Sequence, residues 1–236
     1  MRSRWGVAVS CLLVLMACSC SRVASSTPLP AGSSADDHPV SVEQMVTRFV
    51  TATNARNLAG LNALLHPKSL ACITSENKDF YDRSLVFSVR QPIFPDYHFT
   101  DKTISATDPL PAVGYATFPL RPTHEIQIEY TNGVEITGMV MFWLVNENGR
   151  WYKDDPCINA DVIKQFHDDL PHIKAQEEET RALVAEMKEP LLSEIKSLIQ
   201  QGKTSSAAHR YSQATGKDGS TAMFVIAEME EQMRAK

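Results

Sequence analysis

No stretch of this chain stays apolar for the ~20 residues that a membrane-spanning helix needs. The longest run, Val7–Ala17, is interrupted by Ser10, which excludes a polytopic membrane protein. Positive charge is also short. The chain holds 23 Lys and Arg against 28 Asp and Glu, for a net charge of -5. It therefore carries no electrostatic footprint for nucleic acid or anionic lipid, and neither is expected as a main partner. There is no Gly-x-Ser-x-Gly elbow, no phosphate loop and no dinucleotide fingerprint, so the enzyme classes built on them have no support. His38, His66, His98, His124, His167, His172 and His209 are scattered. His167 and His172 are five apart, off the i, i+4 spacing that puts two ligands on one helix face. Asp168 and Asp169 beside them do not complete the four convergent donors of a zinc site. No metal and no cofactor are expected. What is present is an ordinary globular balance of 43% apolar and 22% charged residues, enough for a core in one or two domains.

Residues 1–18 read as an export signal. Arg2 and Arg4 form a basic start, Trp5–Met16 an apolar stretch, and small Ala17 precedes Cys18. Removing it would take two bases and no acid, moving the net charge from -5 to -7. Leu15-Met16-Ala17-Cys18 resembles the bacterial lipobox, in which the cysteine becomes the acylated first residue. That resemblance implies lipidation of Cys18, anchoring to a membrane at its periplasmic or extracellular face, and sorting to the outer membrane in a Gram-negative cell. The alternative is a simple secretory signal cut nearby. Residues 19–39 carry several Ser with Pro28, Pro30 and Gly32 and show no apolar period. Such a stretch cannot bury enough surface to offset its ordering entropy, which predicts a flexible tether.

A first domain is expected over residues 40–157. Ser41 is an N-cap with Gln44 as its partner three residues on. Val42, Met45, Val46, Phe49, Val50 and Thr53 then recur at helical spacing. Leu58, Leu61, Leu64 and Leu65 predict a second helix stopped by Pro67, and residues 77–85 a third helical turn. The period then changes to that of strands over 97–105, 112–118, 125–131, 134–146 and 150–154. Ile126, Ile128 and Tyr130 alternate with Glu125, Gln127 and Glu129, the pattern of a sheet with one wet face. Met139–Val145 is apolar on both faces and predicts a covered central strand. Asn132-Gly133 and Asn148-Gly149 are hairpin signals.

Helices first, the break at Ala55-Arg56-Asn57-Leu58-Ala59-Gly60-Leu61 and a meander ending in Gly149-Arg150-Trp151-Tyr152 resemble the nuclear-transport-factor-2-like (ketosteroid-isomerase-like) cone fold. The resemblance implies an α+β fold, with helices packed on a curved antiparallel sheet and a pocket at its open end. Tyr81, Tyr97, Tyr130 and Trp143 are the candidates to line that pocket. An isomerase would need a carboxylate base beside a tyrosine–acid donor pair. Asp96, Asp101, Asp154, Asp155 and Tyr115 are available as well, but no spacing assigns them roles, and no catalytic residue is named. Asp154-Asp155 reads as a solvated strand exit.

Residues 158–189 read as a polar helical connector, with a turn at Pro171 and a solvated charge run at Glu177-Glu178-Glu179. Residues 190–236 form a helical tail. Leu191, Leu192, Ile195, Leu198 and Ile199 make a strong stripe closed by Gly202. Ala207, Ala208, Tyr211 and Ala214, then Ala222, Val225, Ile226 and Met229, predict a hairpin. Gln200-Gln201-Gly202-Lys203 and Ala207–Gly216 resemble the helical core of the ribosomal stalk protein's C-terminal domain. The resemblance implies its fold and, given the departures at Lys217 and Met223-Phe224, not its ribosomal role.

With Cys11 in the signal, Cys18 lipidated and Cys20 in the tether, Cys72 and Cys157 are the expected disulfide of an exported domain. The functional expectation is a lipid-anchored envelope protein acting as a non-catalytic ligand-binding or assembly module. Its partners would be the membrane, through the anchor, and an unidentified envelope protein or small apolar ligand; a homodimer is compatible. The alternative is a small-molecule isomerase or dehydratase working in the cone pocket.

Overall fold

The computed structural model describes residues 39–110 and 114–234. The expected signal, Cys18 and all of the tether before residue 39 lie outside the described residues. Among these residues the chain is mixed α/β, with eight helices, a four-stranded antiparallel sheet and its last helices at the C-terminal end. No described helix is long and apolar enough to cross a membrane. The residues fall into two compact units.

The first unit comprises residues 39–110, 114–131 and 137–166. Helix α1 (Val42–Asn54) starts where the Ser41 hydroxyl accepts the Gln44 N–H at 3.2 Å and Gln44 Oε1 accepts the Val40 N–H at 3.1 Å. The chain turns at Arg56, whose φ of 51° is left-handed, and Asn57 caps α2 (Leu58–Asn62) through the Gly60 N–H. Leu64 and Leu65, expected in that helix, leave it: Leu65 bridges Lys153 instead. Pro67 opens α3 (Pro67–Leu70) rather than closing α2, because its missing N–H costs nothing at a first helical position. Helix α4 (Lys78–Ser88) follows.

Strands β1 (Tyr97–Thr103), β3 (His124–Thr131), β4 (Thr137–Glu147) and β5 (Arg150–Lys153) make the sheet in the order β1-β3-β4-β5. The 112–118 strand does not join it. Its described part shortens to β2 (Ala116–Thr117) and pairs with β6 (Cys157–Ile158), a stretch read from sequence as helical. The β4–β5 turn places Asn148 at φ 55° and Gly149 at φ 78°, as that dipeptide implies. Ile126, Ile128, Tyr130, Phe142 and Leu144 share the inner face and are buried with Met45, Val46, Phe49 and Leu61 in one core. The Phe49 and Phe142 rings stack at 4.6 Å. Tyr130 lies opposite Gly138, and its ring occupies the space a Cβ at Gly138 would need. The central strand is covered on both faces only toward Val145, which is 5% exposed; farther along the outer face Met139 is 57% exposed and Met141 41%.

The second unit comprises residues 132–136 and 167–234. Helix α5 (Ala160–Glu186) continues through Pro171 instead of breaking into a turn there. One missing N–H and a crowded carbonyl four residues back cost ~3 kcal/mol, which the buried residues on either side, Phe166 and Ile173, help to offset. Glu177 is buried rather than solvated and pairs with Arg181 one turn on. Helices α6 (Leu191–Gln200), α7 (Thr204–Thr215) and α8 (Gly219–Arg234) enclose a second core of Met187, Ile195, Ala207, Ala208, Tyr211, Ala222, Val225, Ile226 and Met229. Ala214, expected on that buried face, is exposed. Gly202 sits at φ 72°, the left-handed position that ends α6. Lys203 offers α7 no side-chain cap. The Glu135 carboxylate takes that role within the unit, accepting the Ser205 and Ser206 N–H groups and the Ser206 hydroxyl. These bonds hold its carboxyl below the ordinary range, and a negative charge suits a helix N-terminus.

Candidate functional site

The four aromatics expected around a pocket are not gathered into one. Tyr97 and Tyr130 are cross-strand neighbours on the inner face, where Tyr130 is buried over Gly138 and against Phe94. Trp143 faces the other way, edge-on to Phe118 at 5.0 Å. Tyr81 stands on α4 with its hydroxyl accepting the Ile158 N–H at 3.0 Å. The other candidates are also dispersed: Asp101 lies 4.0 Å from His124 at the far end of β3, and Asp96 and Tyr115 are exposed.

The chemistry instead converges on the outer face of the sheet, at the β4–β5 end. Asp154 is not a solvated exit. Its N–H continues the ladder to the Trp143 carbonyl at 2.9 Å, and its side chain is 0% exposed. The Ser69 hydroxyl, at the middle of α3, donates to Asp154 Oδ1 at 2.8 Å. Asp154 Oδ2 and Trp143 Nε1, one acceptor and one donor on cross-strand neighbours, are buried without a hydrogen-bond partner among the described residues. His66 is buried one turn before Ser69. It stacks edge-on against Tyr152 at 5.0 Å and reaches Glu147 Oε2 at 3.3 Å. Its Nδ1 accepts the Lys68 N–H and so caps α3. Beside this group Cys72 and Cys157 stand at disulfide distance, 5.4 Å between Cα atoms, within the range a bridge requires.

Burial pushes the Asp154 carboxyl up from the ordinary carboxylate value to about 6. The Ser69 hydrogen bond opposes that rise, Asp155 adds to it, and His66 and Lys153 oppose it. Lys153 pairs with Asp155, which is partly exposed. The folded protein thus binds a proton at Asp154 more tightly than the unfolded chain does. Its stability contribution is greatest below pH ~4 and falls as pH rises toward ~6, by at most ~3 kcal/mol. Asp154→Asn should flatten that fall. Thermal midpoints of both proteins from pH ~4 to ~7 test this, and parallel profiles would contradict it.

Sequence reasoning had Asp154 in view but assigned it to solvent, and it missed Ser69 and His66. No local pattern marks them. His66 and Ser69 are brought over Asp154 by the Leu65–Lys153 bridge and by the backbone bonds His66 N–H to the Lys153 carbonyl and Lys153 N–H to the Leu64 carbonyl. Among the described residues no three His, Cys, Asp or Glu side chains are grouped to hold a metal ion.

The class that fold and site define is a mixed α/β unit with a buried carboxyl of raised proton affinity and a cysteine pair at disulfide distance, followed by a helical unit. The chain matches no family model, no curated protein and no solved structure.

Proposed function

We propose that this chain is an exported, lipid-anchored module of the cell envelope that binds or assembles through its surface rather than by catalysis. One observation carries the reading. The inner face of the sheet is filled by the first core, while the outer face presents Met139 and Met141 to solvent beside Glu129 and Gln127. Contiguous exposed apolar surface rimmed by polar residues marks interaction sites. The first unit is of the cone type, on the support of its helix-first order and its long β3–β4 hairpin. The helical unit is a stalk-domain-like bundle, supported by its apolar stripes and its Gly202 and Gly216 closures. An exported address accords with a cysteine pair at disulfide distance, since such pairs persist as bridges in oxidising compartments.

The isomerase alternative needs an acid and a tyrosine facing one cavity. Here Asp154 lies on the outer face under α3 and Tyr130 on the inner face, which favours the binding module.

Three measurements test the proposal. Cys18→Ala should move the protein from the membrane fraction to the soluble one or leave it unprocessed. An unchanged membrane fraction with no lipid mass on the N-terminal peptide would remove the anchor. Met139→Lys with Met141→Lys should abolish the complexes recovered from solubilised membranes, with unchanged folding by circular dichroism. Identical recovery would move the contact elsewhere. Turnover of a small carbonyl or hydroxy compound by the purified chain would restore the enzyme reading.

A further inference from the structure

At the β4–β5 end of the outer sheet face two stretches of chain are tied together, residues 66–77 and residues 153–158. The root of the first stretch is tied to the sheet by backbone bonds between Leu64, His66 and Lys153. Its farther part, from Ser69 to Cys72, is held by the Ser69–Asp154 hydrogen bond and the Cys72–Cys157 pair. Both cysteines sit on anchored backbone. The Cys72 carbonyl accepts the Asn77 side-chain amide at 2.9 Å, and Cys157 pairs with Thr117 in the β2–β6 ribbon. α3 is only four residues long, too short to hold itself in place without such ties.

We propose that the Cys72–Cys157 crosslink is a redox-operated latch that holds α3 down over the Asp154 carboxyl, and that reducing it opens this site to water. The step is a thiol–disulfide exchange with a dithiol reductant. A thiolate of the dithiol attacks one sulfur, breaking the S–S bond and releasing the other cysteine thiolate; its second thiolate then attacks its own sulfur in the mixed disulfide and expels the remaining cysteine thiolate. Two electrons and two protons pass to Cys72 and Cys157, which become thiols, and the dithiol leaves as its own disulfide. The charged and titratable groups that face Asp154 are His66 on the α3 side, with Glu147 behind it, and Lys153 and Asp155 from its own strand end. Tyr81 of α4 stands against Asp155. Burial is the largest influence on the Asp154 carboxyl, so opening the latch lets its proton affinity fall back toward the ordinary carboxylate value, and the proton it holds between pH ~4 and ~6 is released. The latch is independent of the anchor reading. Free Cys18 would end that reading and leave the latch untouched.

The test labels carboxyls on the purified full-length chain with a water-soluble carbodiimide and glycine ethyl ester, before and after reduction with dithiothreitol, and maps them by peptide mass spectrometry. Asp154 should label about tenfold faster after reduction, through local opening, while Asp155 changes little. The Cys72→Ser/Cys157→Ser chain should label like the reduced protein without any reductant. Equal labelling of Asp154 in both redox states overturns the latch. So does reduction that unfolds the unit and labels every carboxyl together, because the crosslink would then serve the whole fold. Alkylation of both thiols in protein purified without reductant overturns it before any labelling is done.

Discussion

Replacing Cys72 and Cys157 together by serine is expected to lower the unfolding free energy of the first unit by ~4–5 kcal/mol. The two residues are 85 apart in sequence, and a crosslink of that span removes loop-closure entropy from the unfolded chain, ~4.5 kcal/mol in the entropy model. That is a third or more of a typical domain stability of ~5–15 kcal/mol. For a unit of this size the thermal midpoint should fall by on the order of 15 °C. The geometry favours the full effect, because the 5.4 Å Cα separation lies inside the ordinary range for bridges. Urea unfolding of the wild type and the double variant measures it. A difference under ~1 kcal/mol would mean that the pair is not crosslinked, or that the unfolded chain already brings the two ends together.

The second large effect belongs to the inner core. Phe142→Ala should cost ~3–5 kcal/mol, through lost burial and the cavity left behind. Phe142 is 2% exposed and stacks on Phe49 of α1, so the truncation unseats the contact that joins helix to sheet. Ile195→Ala, in the other core, should cost ~2–5 kcal/mol. The two cores share no residue: one runs from Val42 to Leu144 and the other from Met187 to Met229. Each variant should therefore displace one calorimetric transition and leave the other in place. If both substitutions shift a single common transition equally, the two units melt as one.

The elements that the sequence announced share one property: their signal is local. The Ser41 and Gln44 cap, the apolar stripe of α1, the alternation of Ile126, Ile128 and Tyr130, the Asn148-Gly149 turn and the glycine closures at 202 and 216 are each written within a few residues. Each depends on a backbone preference or a period that holds wherever the segment lies. Where expectation and structure part, a contact distant in sequence decided the outcome. Leu65 leaves its helix to bridge Lys153, Ala116–Thr117 pairs with Cys157–Ile158 instead of entering the sheet, and α5 continues through Pro171. Met139 and Met141 carry the composition of a covered strand, yet α1 and α2 pack into the core on the sheet's other face.

The site divides in the same way. The pairing of Cys72 with Cys157 followed from counting cysteines against compartments, which is a property of composition and needs no coordinates. The state of Asp154 did not. Next to Asp155 at the end of a strand it has every local mark of a solvated residue, and only the return of α3, carrying Ser69 across 85 residues of chain, takes it out of water. Burial is a property of what lies opposite a side chain, and desolvation sets the proton affinity of a carboxyl more strongly than its sequence neighbours do. The sequence by itself therefore determined α1, the alternating strand β3, the glycine turns and the cysteine pair. The tertiary structure alone decided which face of the sheet is open and which acid gains proton affinity by burial, because both depend on long-range packing that no local period encodes.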